Sequence, residues 1–237
     1  MSYKLIGKGN LGTRLNRLFI RNRWTEYALE DTHPVDVVGI AVKPKDVKRA
    51  CEEIAPYVRA DSIVVSYAAG VKVETLESYL PQSPIVRCMP NICVSEGRGA
   101  AIWYGKVSSN TIMRLYDIMW GPVNTWVDDE AQLEKATLLF AGQPAFQAYM
   151  ANTYIELARQ AGFSEQVAKE MYASTLIGTG YLLQESDTKS IIKEVCSEKG
   201  VTERVIRSLK KDAINTQLKR SIFDGYMQLH HIVKKFN

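Results

Sequence analysis

The stretch Lys4-Leu5-Ile6-Gly7-Lys8-Gly9-Asn10-Leu11-Gly12, close to the start of the 237-residue chain, constrains the fold more than any other. Its apolar start reads as a buried strand. Gly7, Gly9 and Gly12 fall at the G-x-G-x-x-G spacing that opens a dinucleotide-binding βαβ unit. Each glycine answers a separate demand. Gly7 permits a tight strand-to-helix turn, Gly9 lets the backbone approach a pyrophosphate, and Gly12 lets the helix pack close to the sheet. Leu15, Leu18 and Phe19 supply an apolar helical face, so the helix beginning near Asn10 and Leu11 aims its N-terminal amides at the phosphates.

Composition narrows the class. With 46% hydrophobic and 24% charged residues, the chain has core enough for two modest domains. No run approaches the length of a membrane span, and no leader with a basic region, apolar stretch and small-residue cleavage site stands at the start, so a cytoplasmic protein without a membrane partner is expected. Cys51, Cys88, Cys93 and Cys196, with His33, His230 and His231, show no metal-ligand spacing, and no metal is expected. A net charge of +4 suits nucleotide phosphates but falls short of a nucleic-acid footprint.

The pattern after the glycine loop alternates. Residues 25–31 read as a short second strand ending in Glu30 and Asp31, which are either ribose-binding carboxylates or solvated loop charges. Residues 35–42 form a continuous apolar run suited to a strand covered on both faces, and Lys43-Pro44 ends it. A helix follows over 46–58, a strand over 62–67 closed by Ala68-Ala69-Gly70, a short helix over 73–80, and a strand over 85–89 stopped by Pro90. Strands alternating with helices imply a doubly wound parallel sheet, with ligands bound where the strand ends converge: Gly7, Ala41 to Pro44, Ala68 to Gly70, and Met89 to Asn91. Residues 101–104 and 125–127 read as edge strands flanking a helix over 109–120. From Asp129 the periodicity is helical, over 130–140, 145–161, 164–184, 188–196 and 202–235, which places the boundary of an all-α domain (128–237) after an α/β domain (1–127).

With these strand ends in place, the chain resembles the pyrroline-5-carboxylate reductase family along nearly its whole length. The matching pieces are Gly7 to Gly12, Ala41-Val42-Lys43-Pro44, Ser66-Tyr67-Ala68-Ala69-Gly70-Val71, and Arg87-Cys88-Met89-Pro90-Asn91 with Gly97-Arg98-Gly99. The resemblance implies a Rossmann-like domain followed by an all-α dimerisation domain, a homodimer formed through the C-terminal helices, and reduction of a cyclic imine to proline with NADPH or NADH. It implies that Ala41, Val42, Lys43, Pro44, Ala68, Ala69 and Gly70 bracket the nicotinamide end of the cofactor, and that Asn91 helps shape the same pocket.

The departures from the family are specific. Ile92-Cys93-Val94 stands where the family has Thr-Pro-Ala. Phe140-Ala141-Gly142-Gln143-Pro144-Ala145 replaces Ser-Gly-Ser-Gly-Pro-Ala, and Ser197-Glu198-Lys199-Gly200-Val201-Thr202 replaces Ser-Pro-Gly-Gly-Thr-Thr. The segment between the first helix and Val35 is too short for the strand, helix and strand that the family fits there.

Imine reduction asks mainly for positioning and exclusion of water. The resemblance makes Thr202 the group that donates to, or orders a water at, the substrate nitrogen. Ser197, Gly200 and Val201, near a helix start, would then hold the substrate carboxylate. Thr202 reads equally as a plain helix N-cap. Tyr226, Leu229, Ile232, Val233 and Phe236 read as dimer contact or as local core. Two other functions fit the departures: reduction of another small cyclic imine, and a non-catalytic dinucleotide-binding regulator.

Overall fold

The computed structural model describes residues 1–28, 31, 33, 35–118 and 123–237. The chain divides into two compact units, residues 1–144 with 224–237, and residues 145–223. The first unit is built on a seven-stranded sheet: β1 (Ser2–Ile6), β2 (Thr25–Glu26), β3 (Val37–Ile40), β4 (Ile63–Ser66), β5 (Ile85–Pro90), β6 (Ala100–Tyr104) and β7 (Val123–Trp126), in the spatial order β2-β1-β3-β4-β5-β6-β7. Strands β1 to β5 are parallel. Strand β6 runs antiparallel to β5, and β7 follows β6 in parallel.

The inner strands β3 and β4 form where β-branched residues run almost continuously, and both faces of the sheet are covered, as such runs require. Successive residues point to opposite faces. Leu5, Val65 and Val86 join Leu15, Leu18 and Phe19 of α1 (Asn10–Arg21) in one core. Ile6, Val64 and Ile85 join Val47, Ala50 and Ile54 of α2 (Val47–Ile54) and Leu76 of α3 (Val73–Tyr79) in the other.

Several expectations are corrected. Strand β2 is two residues long, and Asp31 lies outside it, its amide donating to the Ala28 carbonyl at 3.2 Å, while Glu30 lies outside the described residues. Strand β6 is an inner strand with Trp103 fully buried, leaving β7 as the edge. The helix expected over 109–120 is α4 (Ser109–Ile118), with residues 119 and 120 outside the described ones.

Arg87, a lone charge inside β5, is fully buried. It pairs with Glu130 at 2.8 Å and approaches Glu134 at 2.6 Å, both on α5 (Glu130–Ala136); the first contact is a hydrogen bond, the second a charge contact out of hydrogen-bond alignment. Burying a charge is costly unless it is paired, so this cluster fixes α5 against the sheet. Composition turns helical near Val127, whereas the first compact unit extends to residue 144 and takes in α5 and the π-helical turn Thr137–Ala141.

Most of the second unit comprises α6 (Gln143–Gln160), α7 (Glu165–Glu185), α8 (Thr188–Val195) and α9 (Val201–Lys211). The single helix expected over 202–235 is two. Helix α9 ends at Lys211, Ala213 takes a left-handed φ of 51°, and α10 (Ile214–Phe236) begins anew; with no glycine or proline at the break, the periodicity gives no sign of it. Tyr149, Met171, Ile177 and Leu183 remain more than half exposed, an apolar surface that the unit does not cover.

Asp36, just before β3, ties the sheet's entry edge together. It accepts hydrogen bonds from the Ser2 amide (2.9 Å) and hydroxyl (3.2 Å) and pairs with Arg114 of α4 at 3.1 Å. Burial pushes its carboxyl up, but the Ser2 hydrogen bonds and the Arg114 guanidinium outweigh this and hold it below its usual value. A carboxylate lowered by folding adds stability above its unfolded pKa and loses it as pH falls through the folded value. Asp36→Asn is expected to cost about 1 kcal/mol or less at neutral pH, a deficit that shrinks as pH falls below about 4; thermal melts across pH 2–7 check it.

Candidate active site at the strand ends

In a sheet ordered 2-1-3-4-5, the chain leaves β1 and β3 in opposite directions, opening a crevice at their carboxyl ends. The glycine loop lies there. Gly7 has φ +107°, and a Cβ on it would collide with the carbonyl oxygen of Ala41 at the end of β3. A Cβ on Gly12 would collide with the carbonyl oxygen of Gly7. Gly9 is exposed, with open space around its Cβ position, and caps α1 without any side-chain hydrogen bond to the helix's first amides. Asn10 and Leu11 follow at the first turn, with no acidic residue there to oppose an anion. Gly7 and Gly12 therefore meet demands of the protein itself, and Gly9 stands where a ligand can approach. These features fit the pyrophosphate of a dinucleotide.

The other strand ends share this edge. Ala41 continues β3, its amide donating to the Ile6 carbonyl at 2.8 Å. Val42 and the exposed Lys43 lead to Pro44, which sets the 3₁₀ turn Pro44–Asp46. After β4, the Ala68 amide donates to the Ser66 hydroxyl at 3.3 Å, Ala69 is half-buried, and Gly70 has φ +75°. Asn91 is buried and committed to the protein. Its Oδ1 accepts from the Cys93 amide at 3.1 Å, and its Nδ2 donates to the Phe140 carbonyl at 3.4 Å.

The thiols beside this edge are not nucleophiles. Burial pushes Cys88 well up; burial and then the Glu96 carboxylate push Cys93 up, so both stay protonated at neutral pH.

Sequence reasoning missed the groups that hold the 68–72 loop. Glu130 accepts from the Val73 amide at 2.8 Å while paired with Arg87. Asn237, following α10, accepts from the Lys72 amide at 2.7 Å and donates to the Gly70 carbonyl at 2.7 Å. A charge inside an apolar strand, followed by glutamates four residues apart on a helix, was a usable sign of the Arg87 cluster. Asn237 had no such sign. Leu229, Ile232, Val233 and Phe236 prove to be local core in the first unit: Leu229 is buried, Phe236 packs on the second core, and Ile232 and Val233 lie against Gly70.

In the second unit, α9 starts at Val201 with Gly200 as its cap, so Thr202 is an exposed first-turn residue and not the N-cap. The turn before it is tight. The Gly200 amide donates to the Ser197 carbonyl at 2.9 Å, and a Cβ on Gly200 would meet the Ser197 hydroxyl. Glu203 reaches back to accept from the Lys199 amide at 2.7 Å. No side chain caps the Val201 or Thr202 amides, but unlike α1 this helix start carries a carboxylate, Glu203, in its first turn.

A glycine loop at the switch point of a doubly wound sheet, followed by a helical unit, is the arrangement of a Rossmann-type dinucleotide-binding fold. Residues 130–229 match the family model for pyrroline-5-carboxylate reductase dimerisation, and residues 10–111 match the model for ketopantoate reductase. The pyrroline-5-carboxylate reductase of Pseudomonas aeruginosa is 28% identical over 193 residues, covering 79% of this chain and 71% of that protein. Pyrroline-5-carboxylate reductase 1 of Bacillus spizizenii is 27% identical over 193 residues, covering 79% of this chain and 65% of that protein. In structure, the pyrroline carboxylate reductase of Plasmodium falciparum with NADP bound superposes with a TM-score of 0.88 at 18% identity, covering 98% of each chain. The pyrroline-5-carboxylate reductase of Coxiella burnetii superposes with a TM-score of 0.84 at 24% identity, covering 97% of each chain. The chain is similar to pyrroline-5-carboxylate reductases in sequence over about four-fifths of its length, and in fold over nearly all of it.

The three glycines separate by experiment. Gly7→Ala and Gly12→Ala are each expected to destabilise the protein by about 2–3 kcal/mol, from backbone strain at Gly7 and overpacking at both. Gly9→Ala is expected to leave stability within about 0.5 kcal/mol while weakening nucleotide binding. Denaturant unfolding and cofactor fluorescence give the two readouts; unchanged affinity in Gly9→Ala removes that residue from the phosphate site.

Proposed function

We propose that the protein reduces 1-pyrroline-5-carboxylate to proline with NAD(P)H, acting as a homodimer. The observation that carries this reading is the likeness to curated reductases, which extends over 193 aligned residues, more than either compact unit contains. The loop geometry supports it.

In this reading the amides of Gly9, Asn10 and Leu11 hold the pyrophosphate at the uncapped start of α1, and Gly7 and Gly12 keep that start against the sheet. Ala41 to Pro44 and Ala68 to Gly70 wall the nicotinamide end, with Asn91 bracing the turn beside it. The reduced nicotinamide, when bound, supplies the hydride. The protein's task is to orient the substrate and exclude water. The backbone donors of the Ser197, Gly200 and Val201 turn hold the substrate carboxylate, and the Thr202 hydroxyl, directly or through a water, supplies a hydrogen bond at the imine nitrogen, which takes or already carries a proton. No strong base is required. NADPH is the favoured nucleotide and NADH the other. The dimer reading is supported by the dimerisation model over residues 130–229 and by the exposed apolar face of α6 and α7.

One observation favours a different cyclic imine as substrate. Residues 140–143 depart from the family motif, and the Phe140 carbonyl is held by Asn91 inside a π-helical turn.

The test measures fluorescence on adding NADPH and NADH separately, then absorbance loss with pyrroline-5-carboxylate and with a six-membered cyclic imine. Turnover of the five-membered substrate is expected. Binding without that turnover transfers the proposal to the second substrate or to a regulator, and no nucleotide binding overturns the enzyme reading. Thr202→Ala is expected to lower turnover by roughly 100-fold with nucleotide affinity nearly unchanged; unaltered turnover removes Thr202 from the mechanism.

A further inference from the structure

The loop Ala68 to Lys72 departs from β4 and enters α3, a helix only seven residues long. Little in its own sequence holds it. Gly70 at φ +75° favours no one conformation, and the nearest local support is the Ser66 hydroxyl beneath the Ala68 amide. The firm contacts come from far along the chain. Asn237 Oδ1 accepts from the Lys72 amide at 2.7 Å and from the Thr75 hydroxyl at 2.8 Å. Asn237 Nδ2 donates to the Gly70 carbonyl and to the Val233 carbonyl, both at 2.7 Å. The two halves of one amide thus grip opposite signs of backbone dipole, two residues apart in the same loop.

The neighbouring geometry makes the grip specific. The Val233 carbonyl belongs to the last turn of α10, so Asn237 is tied to its own helix and to the loop at once. A Cβ on Gly70 would lie 2.9 Å from Ile232 Cγ2, so the loop backbone sits directly on α10. From the other side, Glu130 takes the Val73 amide at 2.8 Å and is itself held by the buried Arg87. An asparagine is the side chain that supplies one acceptor and one donor at this reach; aspartate retains only acceptors and would set a charge against two carbonyl oxygens.

We infer that Asn237 is a positioning residue for the nucleotide site: by clamping the Gly70 carbonyl and the Lys72 amide, it fixes the backbone of the Ala68 to Gly70 loop that faces the nicotinamide end. The role rests on the functional reading given above, but the clamp itself does not. Losing the donor to Gly70 frees the loop to rotate about the one residue with the most backbone freedom. The binding-competent arrangement then becomes a fraction of the population, and apparent nucleotide affinity falls by that fraction. In the same functional reading the imine is held by Thr202 and the turn before it rather than by the 68–72 loop, so its KM is expected to stay nearly unchanged.

Two variants and a control test this in the full-length protein. Hydrogen exchange of residues 68–76 in the absence of nucleotide reads the clamp alone. Asn237→Ala is expected to speed exchange at Lys72, and Asn237→Asp, which keeps the acceptor, to leave Lys72 near wild type. Lys234→Ala, exposed in the same final turn, is expected to change neither. Nucleotide titration and steady-state kinetics read the role. In both Asn237 variants the Kd and KM for NADPH are expected to rise roughly tenfold, the factor carried by one or two net hydrogen bonds, while KM for the imine stays within about twofold. Unchanged exchange at Lys72 in Asn237→Ala overturns the clamp. Faster exchange with unchanged nucleotide affinity, or a rise in Asn237→Ala restored fully by Asn237→Asp, overturns the positioning role. A wild-type protein that binds neither NADPH nor NADH overturns the functional reading and the role with it, while the exchange arm still decides the clamp.

Discussion

The backbone crossing where β1 leaves the sheet governs what surrounds it. Gly7 turns beneath the Ala41 carbonyl with no room for a side chain, and Gly12 in α1 rests on Gly7 with no room for one either. Three elements, β1, β3 and α1, therefore meet at main-chain distance. That contact aims α1 outward from the sheet edge, leaves Gly9 in open space, and sets Ala41 as the first residue of the opposing wall. The remaining strand ends reach the same edge because β3, β4 and β5 follow β1 in parallel.

Features written in local pattern were readable from the sequence. The glycine spacing located the loop, the apolar runs located β1, β3, β4 and β5, and Leu15, Leu18 and Phe19 proved to be buried on α1 as their spacing implied. What escaped reading depends on long-range geometry or on conformations that leave no compositional mark. The direction of β6 follows from the turn at Ile92 to Gly99, where Gly97 and Gly99 both take positive φ. The break between α9 and α10 falls at Ala213, a residue whose propensity favours continuing the helix. Asn237 acts across more than 160 positions in the sequence, and no periodicity links it to Gly70. The candidate site divides in the same way: its glycines and strand ends were accessible, its outer supports were not.

Arg87 explains why helical texture and compact units divide the chain at different places. A cation fully buried in a central strand needs carboxylates, and the residues that provide them open the first helix after the α/β alternation ends. Glu130 and Glu134 bind α5 to the sheet, although α5 belongs by periodicity to the helical half. Glu130 then extends the same attachment to the start of α3.

The brevity of β2 has a consequence for how this architecture can vary. Strand β1 takes its register from four pairings with β3 and only two with β2, so the alignment of the glycine loop is stored almost wholly on the inner side. The outer edge is thereby released from duty as a template. A sheet arranged in this way leaves its outer border free to vary in length and sequence without resetting the strand that carries Gly7, which makes that border a natural graft point.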